Sequence, residues 1–132
     1  MKSYIAIKFH LDARNRAVIE HIAAILEQNG IDPFCFVRDV ENWGQVHLPP
    51  DELMRRSFAE IDAVDLLLVD LTEKGVGIGI EAGYAHAKGI PIVTIARQGA
   101  DISDTLRGIS QSVTVYTDLQ ELAALLPQAL AK

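Results

Sequence analysis

The chain has 132 residues, of which 49% are hydrophobic and 23% charged, and its formal net charge is −6. That length and balance argue against disorder and coiled coil, and fit one domain, residues 1–132, with a single core. The acidic balance speaks against a general nucleic-acid-binding surface, while a local pocket for one phosphate stays compatible with it.

Residues 3–8 (Ser-Tyr-Ile-Ala-Ile-Lys) predict a first strand. Lys8, His10 and Asp12 interrupt the apolar run, so it does not read as a signal peptide. No stretch approaches the roughly 20 apolar residues of a membrane span, so no membrane partner is expected. A polar loop, 9–13, leads to a helix over 14–28. Val18, Ile22, Ile25 and Leu26 form its apolar stripe, and Asn29-Gly30 stops it. Residues 33–37 predict a second strand. It holds Cys35, the single cysteine, as a buried thiol; no disulfide framework exists, and a cytoplasmic location is expected. A polar loop, 38–47, follows. Pro49-Pro50 then opens a helix over 51–61.

Residues 64–70 are apolar and free of Gly and Pro, except for Asp65 and Asp70, and predict a strand buried on both faces. Gly75, Gly77 and Gly79 suggest a tight turn with close backbone approach to a ligand. A helix to Lys88 is expected next, with Glu81 in its first turn and Gly79, Gly83 and Ala87 lying on the sheet. Residues 90–96 predict a fourth strand, Ser103 caps a short helix to 107, and 112–116 predict a fifth strand. Asp118 and Glu121 form a capping-box pattern for the last helix, which Pro127 is expected to kink or end.

Alternating strands and helices predict an α/β fold with a five-stranded parallel sheet covered on both faces, in order 2-1-3-4-5. Ligands bind such sheets at the carboxyl ends of the strands, at the switch point between strands one and three. Loops 9–14 and 71–79 would flank that site, and loop 38–47 would close its side.

A carboxylate in a helix's first turn is favoured by the dipole and by nearby N–H donors, so Glu81 is expected to be ionised, as nucleophile or anchor. Lys8, His10, Arg14 and Arg16 could hold a phosphate or simply form a solvated helix start. The N-cap at Ser103 is a second place for one. His10, His21, His47 and His86 lack metal-ligand spacing, so no metal is expected, and His21 reads as exposed. Gly77-x-Gly79-x-x-x-Gly83 is loosely like a dinucleotide fingerprint. It follows the third strand, however, and leaves no room for a second mononucleotide half, so no cofactor is expected. No Gly-x-Ser-x-Gly elbow and no Walker A pattern occur.

Gly77-Ile78-Gly79-Ile80-Glu81-Ala82-Gly83-Tyr84-Ala85 resembles the Gly-x-Gly-x-Glu-x-Gly-x-Ala signature of the nucleoside 2-deoxyribosyltransferase family. The chain looks closest to its deoxynucleoside 5′-monophosphate N-hydrolase branch. Residues 3–30 match without a gap, and 102–108 resemble the family's Ser-x-x-(apolar)-Arg-Gly segment. The resemblance implies a flavodoxin-like fold and cleavage or transfer at an N-glycosidic bond. Glu81 falls on the nucleophile that attacks C1′ to give a covalent glycosyl-enzyme, resolved by water or a second base. Tyr4 falls on the tyrosine beside it. Ser103 falls on a serine that binds the 5′-phosphate across a subunit boundary, which implies a homodimer or higher homo-oligomer.

The chain departs from the family at three places. Ser57 stands where the family carries an Asp that assists the leaving base. Gly75 stands where the transferases have an acid. Residues 7–11, Ile-Lys-Phe-His-Leu, replace a Gly-Ser-x-Arg-Gly loop. Asp70, Asp39 or Glu41 could stand in for the missing acids. The expected catalytic set is therefore Glu81, Tyr4 and Asp70. The expected substrate-binding set is Lys8, Phe9, His10, Arg14, Arg38, Gly77, Gly79 and Ser103, acting on a nucleoside or nucleotide. The competing readings are a non-catalytic nucleotide-binding or sensing module on the same fold and a nicotinamide-nucleotide-cleaving relative.

Overall fold

In the computed structural model, which describes residues 1–131, five parallel strands lie in the order β2-β1-β3-β4-β5. The strands are β1 (Lys2–Ala6), β2 (Asp32–Cys35), β3 (Leu66–Asp70), β4 (Ile92–Arg97) and β5 (Ser112–Tyr116). Helices α1 (Arg16–Gln28), α2 (Phe36–Asp39), α3 (Pro50–Asp62), α4 (Val76–Ala87), α5 (Asp104–Ile109) and α6 (Leu119–Leu130) connect and follow them. This is the flavodoxin-like arrangement expected from the strand–helix alternation.

Strand alternation divides the core in two. Ile5, Leu66, Leu68, Val93 and Ile95 face the side covered by α1 and α6, where Ile22, Leu26, Leu122 and Leu126 complete the packing. Tyr4, Ala6, Leu67, Val69 and Ile92 face the other side, against Ile61 of α3, Ile78, Ala82 and Ala85 of α4, and Leu106 of α5. The register pairs Tyr4 with Phe34 on one side and Leu67 on the other.

Several local expectations are corrected. The second strand stops at Cys35, and Phe36 and Val37 enter a single helical turn. The cause is local: the Asp39 carboxylate accepts the Cys35 N–H at 2.9 Å, and the Phe36 carbonyl accepts from Val40 and Glu41. Both apolar side chains still bury, so the β-propensity of the pair is overridden. The first helix starts at Arg16, leaving Arg14 in the loop. His21 is not exposed, because its Nε2 lies 3.1 Å from the Leu119 carbonyl oxygen. The last helix runs through Pro127 to Leu130. Asp118 accepts from the Glu121 N–H at 2.8 Å, as the capping pattern requires.

The largest correction concerns α4. It begins at Val76, so Gly77 and Gly79 are helical rather than a turn, and Glu81 is in the second turn. The face that packs on the sheet is Ile78, Ala82 and Ala85, while Gly79, Gly83 and Ala87 are exposed. Apolar volume decided the rotation of the helix: burying Ile78 gains more than seating glycine. Nothing lies within 4 Å of a Cβ built at Gly83. Gly83→Ala should therefore raise stability by up to about 1 kcal/mol through helix propensity. Urea denaturation checks this, and a lower midpoint would contradict the exposed placement.

Candidate active site

At the carboxyl ends of β1 and β2, beside the start of α4 that follows β3, a cleft of about 290 Å³ opens on the α3–α4 side of the sheet. Its floor is Tyr4 and Glu81. Its walls come from Phe36 and Val37 of α2, Leu53, Met54 and Ser57 of α3, the first turn of α4, and residues 7–9 after β1. The Tyr4 hydroxyl donates a hydrogen bond to the Glu81 carboxylate. Tyr4 is 1% exposed, and its ring leans on Phe34 at 5.3 Å between centroids. Phe34 in turn meets Phe36 edge-on at 6.4 Å. The hydroxyl is thus fixed by an aromatic stack as well as by its bond. Glu81 shares the inward face of α4 with Ile78, Ala82 and Ala85, following the helical i, i+3, i+4 spacing. A charged side chain on an apolar stripe is the sequence signal of a special site, and the glycine stripe obscured it.

Burial also works against the expected charge state. The Glu81 carboxyl is pushed up to about 7 by desolvation, and the Tyr4 hydrogen bond only partly opposes this. The dipole benefit of a first-turn carboxylate does not reach the second turn. Tyr4 is driven well above the ordinary phenol range, first by its own burial and then by the Glu81 charge beside it, so it stays a donor. Ser57, 5% exposed, also lines the cleft, and its side chain partly offsets the rise at Tyr4.

Lys8 lies half-buried along the cleft and, among the described residues, has no salt-bridge partner. Its stem crosses the start of α4, where a Cβ on Gly75 would meet Lys8 Cδ at 3.3 Å. The glycine at 75 makes room for that lysine. Phe9 and Gly77 also line the cleft.

The remaining expected residues lie elsewhere. Asp70 is on the opposite face of the sheet from Glu81, because it shares the parity of Leu66 and Leu68. It is buried, accepts from the Tyr116 hydroxyl at 2.8 Å and from the Thr72 N–H at 2.9 Å, and lines a separate cavity of about 80 Å³. It cannot serve as proton partner to Glu81. His10 and Arg14 line that second cavity, with His10 at 2.7 Å from Glu73 and Arg14 paired to Asp12. Arg38 lines neither cavity and forks onto Asp39 at 2.8 and 3.1 Å. Gly79 is on the exposed side of α4. Ser103 caps α5, accepting the Thr105 N–H at 3.2 Å, and lines neither cavity of the single chain. Among the described residues no group of three His, Cys, Asp or Glu is placed to hold a metal ion, and no helix is long and apolar enough to cross a membrane.

A five-stranded α/β fold with a tyrosine-bound carboxylate at its switch point defines a class of small-molecule site. The chain belongs to the nucleoside 2-deoxyribosyltransferase family, whose pattern matches residues 3–119. The family's chemistry is cleavage or transfer at the N-glycosidic bond of nucleosides or nucleotides. A relative from Thermofilum pendens, named "Putative 2'-deoxynucleoside 5'-phosphate N-hydrolase 1", is 24% identical over 131 residues, covering 92% of this chain and 89% of its own. Among solved structures, the CMP N-glycosidase BcmB of Clostridium botulinum superposes with a TM-score of 0.71 at 20% identity, over 97% of this chain and 98% of its own. A 2-deoxyribosyltransferase from Bacillus psychrosaccharolyticus gives 0.71 at 14% identity, over 93% and 90%. At those identities the two structures report the fold alone.

The buried carboxyl makes a stability prediction. Its folded pKa is raised, so its stabilising contribution is present below the unfolded value of 4.5 and is lost as pH rises through about 7. The shift corresponds to a penalty of about 3 kcal/mol for the ionised form. Glu81→Gln removes the charge and keeps the shape. In urea denaturation across pH, the variant should be more stable than wild type by about 2–3 kcal/mol above about pH 8, and equal to it near about pH 4. Parallel pH profiles would contradict the buried carboxylate.

Proposed function

We propose that this chain cleaves, or transfers across, the N-glycosidic bond of a deoxynucleoside or its 5′-monophosphate, with Glu81 as nucleophile. The observation that carries this reading is the Tyr4–Glu81 hydrogen bond at the floor of a cleft at the carboxyl edge of the sheet. Tyr4 occupies one carboxylate oxygen and orients the other for attack on C1′. The product of attack is a neutral ester, so the desolvation that penalises the buried anion is relieved as the bond forms. Water then releases the sugar, or a second base accepts it. Both steps invert C1′, and the net outcome is retention. Lys8, a cleft-lining cation without a salt-bridge partner among the described residues, supports binding of a 5′-phosphate, together with the free N–H groups at the start of α4.

Ser57 and Gly75 support a second reading, a nucleotide-binding module without turnover, because neither supplies a carboxyl group to the cleft. One experiment separates the two. Deoxynucleosides, their 5′-monophosphates and nicotinamide nucleotides are incubated with the protein, with and without a second base, and free or exchanged base is measured by chromatography. Base release is expected, with kcat/KM rising with pH through about 7 as Glu81 ionises. Glu81→Gln should lower release by at least about 10³-fold. Lys8→Ala should raise KM for monophosphates about 10-fold or more and leave nucleosides little changed. Binding without release by wild type would establish the binding module. Release that survives Glu81→Gln would reject the nucleophile.

A further inference from the structure

Breaking an N-glycosidic bond near neutral pH requires a proton for the departing base as well as a nucleophile. Glu81 cannot supply both, because it attacks as an anion. Tyr4 holds its proton more tightly than a free phenol, through burial and the neighbouring Glu81 charge. Ser57 offers only an aliphatic hydroxyl. Among the residues lining the cleft there is one other carboxyl group, Glu41.

The backbone at Glu41 is held firmly. Its N–H donates to the Phe36 carbonyl at 3.1 Å, and its own carbonyl accepts from Gly44 at 3.1 Å and Val46 at 2.9 Å. Asn42, Trp43 and Gly44 then take φ values of 46°, 59° and 90°. Two successive non-glycine residues in the left-handed region cost roughly 1–2 kcal/mol each, and such strain persists only where the surroundings enforce it. Trp43 supplies part of that enforcement, with the Arg16 guanidinium 4.5 Å above its ring and its own N–H bonded to the Val37 carbonyl at 2.7 Å. The Glu41 carboxylate, by contrast, has no hydrogen-bond or ion-pair partner among the described residues, and it is half-buried. Desolvation raises its pKa, and the charge of His47 pulls the other way. The turn is rigid, and the acid it presents to the cleft is free.

We propose that Glu41 is the catalytic residue that protonates the leaving base, an assignment that rests on the glycosidase reading above. In the first step a Glu81 oxygen bonds to C1′ while the C1′–N bond breaks. The bonding pair goes to the base, and the Glu41 carboxyl proton is delivered to it. In the second step a water oxygen bonds to C1′, the Glu41 carboxylate takes the water proton, and Glu81 departs as a carboxylate. In transfer, the incoming base's N–H replaces the water. Atoms and charge balance, and no further reactant is needed. The carboxylate at 41 thereby takes over the role that Ser57 cannot fill.

The test compares Glu41→Gln and Glu81→Gln on two substrates. One is the best unmodified deoxynucleotide from the panel above. The other is 7-methyl-2′-deoxyguanosine 5′-monophosphate, whose cationic base departs without a proton. In first-turnover base release and in kcat/KM, which report the first step alone, Glu41→Gln should lose about 10²–10⁴-fold on the unmodified substrate and stay within about threefold of wild type on the methylated one. Glu81→Gln should lose both. On the unmodified substrate, the wild-type kcat/KM profile should carry two limbs, because Glu81 must be ionised and Glu41 protonated, and Glu41→Gln should leave only the rise with Glu81 ionisation; the charges of Glu81, Lys8 and His47 around the cleft set where the Glu41 limb falls. This readout stands even where the cleft rejects the methylated base. Equal first-turnover loss on both substrates, a two-limbed profile unchanged in Glu41→Gln, or full activity of Glu41→Gln while Glu81→Gln is inactive would each overturn the assignment and leave the glycosidase reading intact. A wild-type protein that releases no base would overturn both.

Discussion

The structure depends on one constraint: a carboxylate on the packing face of a helix must be accommodated against a sheet. Glu81 occupies the stripe of α4 that otherwise carries Ile78, Ala82 and Ala85, and its partner is the hydroxyl of Tyr4 from the neighbouring strand. A single hydrogen bond does not offset the loss of water around a full charge, so the carboxyl is raised to about 7. The small residues beside it, the aromatic stack behind Tyr4 and the cleft above it all follow from leaving that group both buried and reachable. The arrangement holds destabilising free energy at one atom pair, and that is where a reacting centre would sit.

The alternation of β3 does the rest of the sorting. Five residues of this strand are buried, and their side chains alternate between the two faces. Leu67 and Val69 pack with Tyr4 and Ile78 on the side that holds the cleft. Leu66, Leu68 and Asp70 point to α1 and α6, where Asp70 finds Tyr116 and Thr72. The two acids closest to the switch point in sequence are therefore separated by the sheet itself. Burial, with the Asp70 charge beside it, pushes the Tyr116 hydroxyl up to about 12, so Tyr116 stays a hydrogen-bond donor to Asp70. It ties β3 to β5 across the sheet on the side away from the cleft.

Much of the molecule was legible in the residues. Gly30 and Gly89 take the positive φ of 74° and 76° expected of glycines that end helices. The caps at Ser103 and Asp118 form as their side chains require. The failures share one cause. The apolar run through Phe36 and Val37 reads as strand, because apolar β-formers cannot be told from a buried helical turn by pattern alone. The glycine periodicity of α4 points to close packing on the sheet, while the aliphatic volume of Ile78 is the larger quantity and sets the rotation. Asp39 and Glu41 are two residues apart and equivalent on paper. In the fold, Asp39 is consumed by Cys35 and Arg38, and Glu41 faces the cleft.

The sequence by itself determined the strand–helix alternation, the sheet order and the family, whose resemblance implies the pairing of Tyr4 with Glu81. Those features depend on local periodicity, on chain connectivity and on the spacing of a few residue types. The tertiary structure decided which acids share the cleft, which phosphate-binding candidates reach it, and how protonated Glu81 is. Lys8 and Glu41 came into the site, while Asp70, His10, Arg14 and Arg38 fell outside it. Those outcomes depend on side-chain parity, helix rotation and desolvation, and these are set only when distant segments pack together and water is excluded between them.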